Sequence, residues 1–375
     1  MTSLSLMVIA ALFLRLVMTD SHSSVALAAP NSRLKYTCTP GRVVKHQECC
    51  KWFEILDDMQ ENLFENECGP EAHESLRAMF HDAIGYSRTG MFNGTYAGGG
   101  ADGSIMFHAE VELAYKANVG LDEIIYPQRN VALKHDVSFG DIIHFAGAVG
   151  LTNCGGGPRL QFFAGRPNTS EPAPDYMVPA PFHTADQIFE RMADAGFQPD
   201  EVVQLMTAHT VAAQHSINPG FNSAPLDSTP QDFDGQFFVE TLLRGTEPAG
   251  NGTEQGEASS PLPGEFRLQS DVLLARDPRS ACEWQSMINH HEVMIAKFER
   301  VMTKLTTLGQ DRGALIDCSD VIPGSSRLNH EAMLPAGKTM KDIEPACALI
   351  PFPSLSTVSG PVKSLAPVRH KYAHH

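Results

Sequence analysis

Glu74-Ser75-Leu76-Arg77-Ala78-Met79-Phe80-His81-Asp82-Ala83-Ile84-Gly85 is the stretch on which the fold turns. Its periodicity is helical, and a 3.6-residue repeat sets Glu74, Arg77 and His81 roughly along one face with Asp82 turned away. An arginine that keeps its charge beside a histidine that can take a proton suits acid–base chemistry on a small polar molecule. Taken alone, an arginine and a histidine four residues apart more often mark a solvated helix face. The surrounding chain has to decide between the two.

Upstream, Trp52, Phe53, Leu56, Met59 and Leu63 recur at three- and four-residue steps and predict an amphipathic helix over Glu48 to Asn66. Downstream, a glycine-dense loop runs from Ser87 to Gly100 and on into Ala101-Asp102-Gly103-Ser104. So many backbone oxygens and carboxylates with so little side chain suit a hard cation or a close backbone approach. Helices are predicted over Ser104 to Val119, Asp141 to Leu151 (opened by a cap in Val137-Ser138-Phe139-Gly140-Asp141), Thr184 to Ala195, Pro199 to Ala213 and Ala281 to Leu308. The alternating period of strands is nearly absent, so the expected class is all-α. The proline-rich segment Pro167 to Pro181 divides it into two helical halves, residues 30–180 and 181–349, with a Pro/Ser-rich tail over residues 350–375.

A chain of 375 residues can bury a large core, and a formal net charge of −16 argues against nucleic acid and anionic membrane surfaces as partners. The apolar run from Leu4 to Met18 is short for a membrane span and is followed by Asp20, Ser21 and His22. With the small residues Ala26-Leu27-Ala28 it predicts a signal peptide and short pro-segment over residues 1–29, cleaved between Met18 and Ala29, and hence a secreted protein. Eight cysteines agree with export and allow up to four disulfides. None is spaced as CxxC, so a structural zinc site is unsupported, and the adjacent Cys49 and Cys50 are poorly placed to bond each other. Sequons at Asn93, Asn168 and Asn251 lie in loop-like surroundings and predict glycosylation.

The Pro199–Ala213 segment is apolar nearly all round, which predicts burial, and it carries His209. Beyond it, Leu226 to Asp234 is a loop of acidic and hydroxyl side chains of the kind calcium selects. Two histidines on separate buried helices, one beside an arginine, suit a haem: one imidazole for the iron, the other facing its open position.

Arg77-x-x-Phe80-His81-Asp82, Gly100-Ala101-Asp102-Gly103-Ser104, Ala208-His209-Thr210 and Asp227-Ser228-Thr229-Pro230, in that order, resemble the secreted fungal (class II) haem peroxidases of the plant/fungal/bacterial superfamily. The resemblance spans nearly all the chain after the signal. It implies a helical fold in two halves sandwiching haem b, a monomer, and hydrogen peroxide as oxidant. His209 would be the axial ligand, hydrogen-bonded to Asp271. His81 would move the peroxide proton, Arg77 would stabilise the charge that develops, Phe80 would pack above the haem edge, and Asn118, supported by Glu112, would keep His81 basic. Two calcium ions are implied as well, one on Asp82, Gly100, Asp102 and Ser104, the other on Thr210, Asp227, Thr229, Asp232 and Asp234. The implied disulfides are Cys38–Cys50, Cys49–Cys318, Cys68–Cys154 and Cys282–Cys347.

Within that family, manganese peroxidases need three carboxylates where this chain has Pro70, Glu74 and His215, and a hard Mn(II) ion prefers oxygen ligands. The position of the radical-forming tryptophan of lignin and versatile peroxidases holds Gln204, Leu226 replaces a usual phenylalanine, and Trp52 and Trp284 read as core. The pattern is most similar to the generic type, which oxidises phenols and other aromatic donors by one-electron steps at the haem edge. The alternatives are a manganese or surface-radical peroxidase using Glu74 or a tyrosine such as Tyr176, and, in another class, an inactive calcium-stapled binding protein.

Overall fold

The computed structural model describes residues 35–92, 94–247 and 254–368. Residues 1–29, Asn93 and Asn251, which carry the expected signal and two of the sequons, lie outside them; Asn168 is exposed on a loop. The described chain is all-α, with twelve α-helices and, as its only strands, two-residue segments in five antiparallel pairs. None of these helices is long and apolar enough to cross a membrane.

Six helices precede the proline-rich segment: α1 (Lys51–Asn62), α2 (Pro70–Ala83), α3 (Ser104–Phe107), α4 (Ala109–Glu112), α5 (Asp122–His135) and α6 (Phe139–Leu151). Six follow it: α7 (Ala185–Ala195), α8 (Pro199–Met206), α9 (Gln236–Leu242), α10 (Gln269–Arg276), α11 (Ala281–Ser286) and α12 (His291–Leu305). Local chemistry sets several boundaries. Pro70 and Pro199 stand at first helical positions, where a missing N–H costs nothing. Ser138 caps α6 by accepting from the Asp141 N–H at 3.2 Å, and Thr184 and Gln187 close a capping box on α7.

The buried α6 packs against α2, and Gly147 permits the approach: a Cβ there would lie 2.5 Å from Met79 Cε and 3.1 Å from the Ser75 carbonyl. Both tryptophans are fully buried. Trp52 packs on Phe145 and Phe162 with ring centroids 4.7 and 4.6 Å away; Trp284 packs on Phe237 and Phe238 and donates to the Phe238 carbonyl.

Three predicted helices are interrupted. The one expected over Ser104 to Val119 breaks at His108 (φ −111°, ψ 38°), whose Nε2 lies 2.9 Å from the Ser170 carbonyl, and resumes as α4 and a 3₁₀ turn, Lys116–Asn118. The one expected over Pro199 to Ala213 ends as α8 at Met206 and tightens into a 3₁₀ turn, Thr207–Val211. The one expected over Ala281 to Leu308 divides at residues 287–290, where Asn289 takes a φ of 57°. Helix α5 forms in spite of Pro127 inside it, because Ile124, Ile125, Gln128 and Ala132 on one side are buried and Gln128 donates to Ser75 Oγ at 2.9 Å.

Disulfides join Cys38–Cys50, Cys49–Cys318, Cys68–Cys154 and Cys282–Cys347. The second links residues 269 apart and so removes much freedom from the unfolded chain. The tail is wrapped on the surface by its backbone: Gln285 Nε2 donates to the Ile350 and Pro351 carbonyls, Val358 N to Leu334 O, Leu365 N to Pro263 O and Val368 N to Ser223 O.

Candidate active site

Helix α2 carries Glu74, Arg77, Phe80, His81 and Asp82 within nine residues. His81 is tied at one nitrogen, its Nδ1 lying 2.7 Å from Asn118 Oδ1. The orientation of that amide follows from its other end: Asn118 Nδ2 lies 2.9 Å from the Glu112 backbone carbonyl, which can only accept. Asn118 Oδ1 therefore faces His81, Nδ1 carries the proton, and Nε2 keeps its lone pair. Burial, and then the charge of Arg77, push the His81 pKa down to about 3, so the ring is neutral at ordinary pH. The support from Glu112 comes from its backbone; its carboxyl accepts instead from the Ala173 N–H at 3.1 Å. Phe80, half-buried, stands edge-on to His81 with centroids 6.0 Å apart.

Arg77 donates to Glu74 Oε2 at 2.9 Å and to the carbonyls of Ala117 and Val119 at 2.9 and 3.1 Å. Glu74 is buried, and its other oxygen accepts from His215 Nε2 at 3.0 Å. Burial works against this carboxylate, but the charge of Arg77 and the bond from His215 outweigh it and hold the pKa at about 2.

The 3₁₀ turn Thr207–Val211 lies beside α2 and gives neighbouring residues different partners, as three residues per turn allow. His209 Nδ1 is 3.1 Å from Asp271 Oδ2 in the first turn of α10, and its ring stands edge-on to Phe237 of α9, 5.5 Å away. Burial opposes a charge on His209, but the Asp271 carboxylate carries its pKa above the ordinary value. As in His81, Nδ1 is engaged and Nε2 is left for other chemistry.

Two clusters of oxygens flank these histidines. In the first, Asp82 Oδ2 accepts from the Gly103 N–H at 3.1 Å and meets His144 Nε2 at 3.2 Å, while its buried Oδ1 has no hydrogen-bond partner. Asp102 Oδ1 accepts from the Ser104 N–H, and the Gly100 carbonyl accepts from Asp102 N. Gly103 (φ 83°) is required here, since a Cβ would meet Gly140 N at 2.3 Å. Burial raises Asp82 and Asp102 to about 7, with the charge of Asp82 adding to the rise at Asp102. In the second cluster, Thr210 Oγ1 donates to Asp227 Oδ2 at 2.8 Å, with Asp234 Oδ1 and the Asp232 carbonyl at 3.3 and 3.4 Å; Thr229 Oγ1 reaches Asp234 Oδ1 at 3.2 Å. Asp234 Oδ2 is buried and has no hydrogen-bond partner, with His330 Nδ1 3.8 Å away. Burial and the neighbouring Asp234 and Glu240 lift Asp227 well above the carboxylate range, and burial lifts Asp234 to about 6. Buried carboxylates that repel one another and an orphaned oxygen in each cluster are a donor set that fits a hard cation.

Three supporting residues carry no local sequence signal. His144 of α6 meets Asp82 from 62 residues away. Arg166 pairs with Asp141 at 2.9 Å and donates to the Ala101 and Thr306 carbonyls, which fixes the 98–104 loop. Glu240 accepts from the Ser228 N–H and Oγ and holds the 227–234 loop.

The site thus sets a buried neutral histidine beside an arginine, and a second histidine, backed by a carboxylate, on an adjacent turn. Residues 55–290 match the family described as Peroxidase, and residues 293–370 the fungal peroxidase extension region. The chain belongs to the peroxidase family. Among its relatives are ligninase B of Phanerodontia chrysosporium, 50% identical over 91% of this chain and 93% of the relative, and a peroxidase of Arthromyces ramosus, 50% identical over 88% and 91%. A versatile peroxidase of Pleurotus eryngii is 49% identical over 89% and 91%. As a member of this family the chain is a haem peroxidase, an enzyme that uses hydrogen peroxide to oxidise reducing substrates. The haem fits the residues present, since His209 offers Nε2 with Asp271 already behind its other nitrogen. In this peroxidase Gln204, where the resemblance to the ligninolytic type leads one to expect an exposed tryptophan, is buried and donates to Glu283 Oε1 at 2.9 Å.

Proposed function

We propose that this peroxidase is a secreted, glycosylated, calcium-containing monomer of the generic fungal type, which oxidises phenols and other aromatic donors at the haem edge. When bound, the haem supplies a redox-active iron that takes two oxidising equivalents from peroxide and returns them to donors one electron at a time. His209 Nε2 would hold that iron, and Asp271, accepting from Nδ1, makes the imidazole more electron-donating. His81 Nε2 takes a proton from hydrogen peroxide and gives it to the departing oxygen. Its neutrality and the bond to Asn118 fit it for both transfers. Arg77 stabilises the negative charge that develops as the O–O bond breaks. Asp82, Gly100, Asp102 and Ser104 would hold one calcium beside His81, and Thr210, Asp227, Thr229, Asp232 and Asp234 a second beside His209. The Asp232 side chain is turned to His330, 3.2 Å away, which leaves its carbonyl for the ion.

The observation that carries the choice of donor is the engagement of Glu74. With Arg77 on one oxygen and His215 on the other, it has no second carboxylate from position 70 or 215 with which to hold Mn(II). The burial of Gln204 and of both tryptophans supports the same choice over a tryptophan surface radical. The test is steady-state oxidation of Mn(II), veratryl alcohol and a simple phenol by one preparation. The phenol is expected to turn over efficiently, and efficient Mn(II) turnover would overturn the proposal.

A further inference from the structure

His81 lines a small cavity of about 10 Å³ whose walls include Tyr115, Asn118, Ala173, Asp175 and Tyr176. That volume suits one water-sized molecule and is far too small for an aromatic ring. On the rim stands Tyr176, 74% exposed, the most exposed tyrosine among the described residues. Its backbone has a φ of 67°, a left-handed conformation that disfavours a bulky side chain.

The loop is fixed around this residue on both sides. Ala173 donates its N–H to Glu112 Oε1 at 3.1 Å, and its carbonyl accepts from the Tyr115 hydroxyl at 3.0 Å. The Tyr176 N–H donates to Asp175 Oδ1 at 2.7 Å, and the next carbonyl, that of the buried Met177, accepts from Arg191 Nε at 2.9 Å. The strained backbone is thus held by its neighbours, while the ring it presents buries little. Folding gains almost nothing from the ring, but an incoming aromatic would meet an exposed aromatic side chain beside the cavity that His81 lines.

We infer that Tyr176 is the docking platform for the aromatic donor: a specificity-determining residue that stacks the donor ring at the mouth of the His81 cavity. The inference rests on the proposed choice of aromatic donors. The ring face, and not the hydroxyl, is the working part. Tyr176→Phe should therefore leave donor binding unchanged, and Tyr176→Ala should raise KM for 2-methoxyphenol by roughly three- to tenfold, the range set by one aromatic stacking contact. Iodide, a donor with no ring, should keep its KM in both variants, and the rate of the peroxide step should not change.

A readout independent of turnover uses the resting holoenzyme without peroxide. Nitration by tetranitromethane, mapped by mass spectrometry, should mark Tyr176 and be slowed by saturating 2-methoxyphenol, while Tyr126, 49% exposed on α5, should be unprotected. Equal nitration of Tyr176 with and without the phenol, or an unchanged KM in Tyr176→Ala, would overturn the inference and leave the choice of donor standing. A loss in Tyr176→Phe as large as that in Tyr176→Ala would also overturn it, by moving the role to the hydroxyl. A wild-type enzyme that oxidises no phenol would remove the choice of donor and this inference together.

Discussion

Glu74→Gln tests how the arginine side of the active site is held. The substitution keeps the shape and one acceptor oxygen but removes the charge that faces Arg77 and His215. Lowering this carboxyl from its ordinary 4.5 to about 2 is worth about 3 kcal/mol of folding stability. Breaking a buried ion pair from one side costs about 3–5 kcal/mol. The Arg77 side chain is 26% exposed and keeps the Ala117 and Val119 carbonyls, so the lower end of that range applies. The folded-state pKa lies below the unfolded one, so the contribution is complete above about pH 4.5 and disappears as pH falls through about 2. The assay is denaturant unfolding of wild type and variant, both free of haem and calcium so that the two conditions compare the same state, at pH 6 and again near pH 2.5. A loss of about 3 kcal/mol at pH 6 that shrinks in acid is expected. A difference below about 1 kcal/mol at pH 6, or one of the same size at both pH values, would refute the assignment of Glu74 as the buried counter-charge of Arg77.

Three further outcomes are expected. His81→Ala should slow the reaction with peroxide by about 10²–10⁴, followed by stopped-flow absorbance of the haem, with a much smaller effect on the later reducing steps; equal losses in both would contradict the role given to His81. Asp271→Asn leaves an acceptor for His209 Nδ1 but removes its charge, so activity should fall about 10–100-fold and the iron reduction potential should rise. An unchanged potential would count against a carboxylate-tuned ligand. Removal of calcium by a chelator should alter the iron spectrum and lower the unfolding temperature, since Asp82 and Thr210 each adjoin one of the two histidines; an identical spectrum in protein shown to be calcium-free would sink the two-ion assignment.

What could be read before the structure was mostly what repeats or clusters locally. The 3.6-residue period marks α1, α2 and α7, and the glycine-dense loop that ends at 100–104 and the acidic loop at 227–234 stand out by composition. Helices without those signals are not legible in the sequence. Helix α5 contains Pro127, and α9 (Gln236–Leu242) is buried on every side, so it has no polar face to set a period. The break at His108 depends on the Ser170 carbonyl, and the end of α8 on partners for His209 and Thr210 that lie 62 and 17 residues away. Sequence pointed to Glu112 beside Asn118 but could not say that its backbone makes the bond. Glu74 shows the same limit: its place on one helix face with Arg77 is plain in the sequence, yet its pairing with His215, 141 residues away, is made only by the fold.

The line that sets the tautomer of His81 runs through an amide to a peptide carbonyl and ends there. Neither group can gain or lose a proton at any pH the protein survives. The proton on Nδ1 is therefore held by a fixed dipole, where a carboxylate in the same place would fall silent on protonation. An enzyme built this way can meet its oxidant in acid surroundings with the same tautomer that it uses at neutrality.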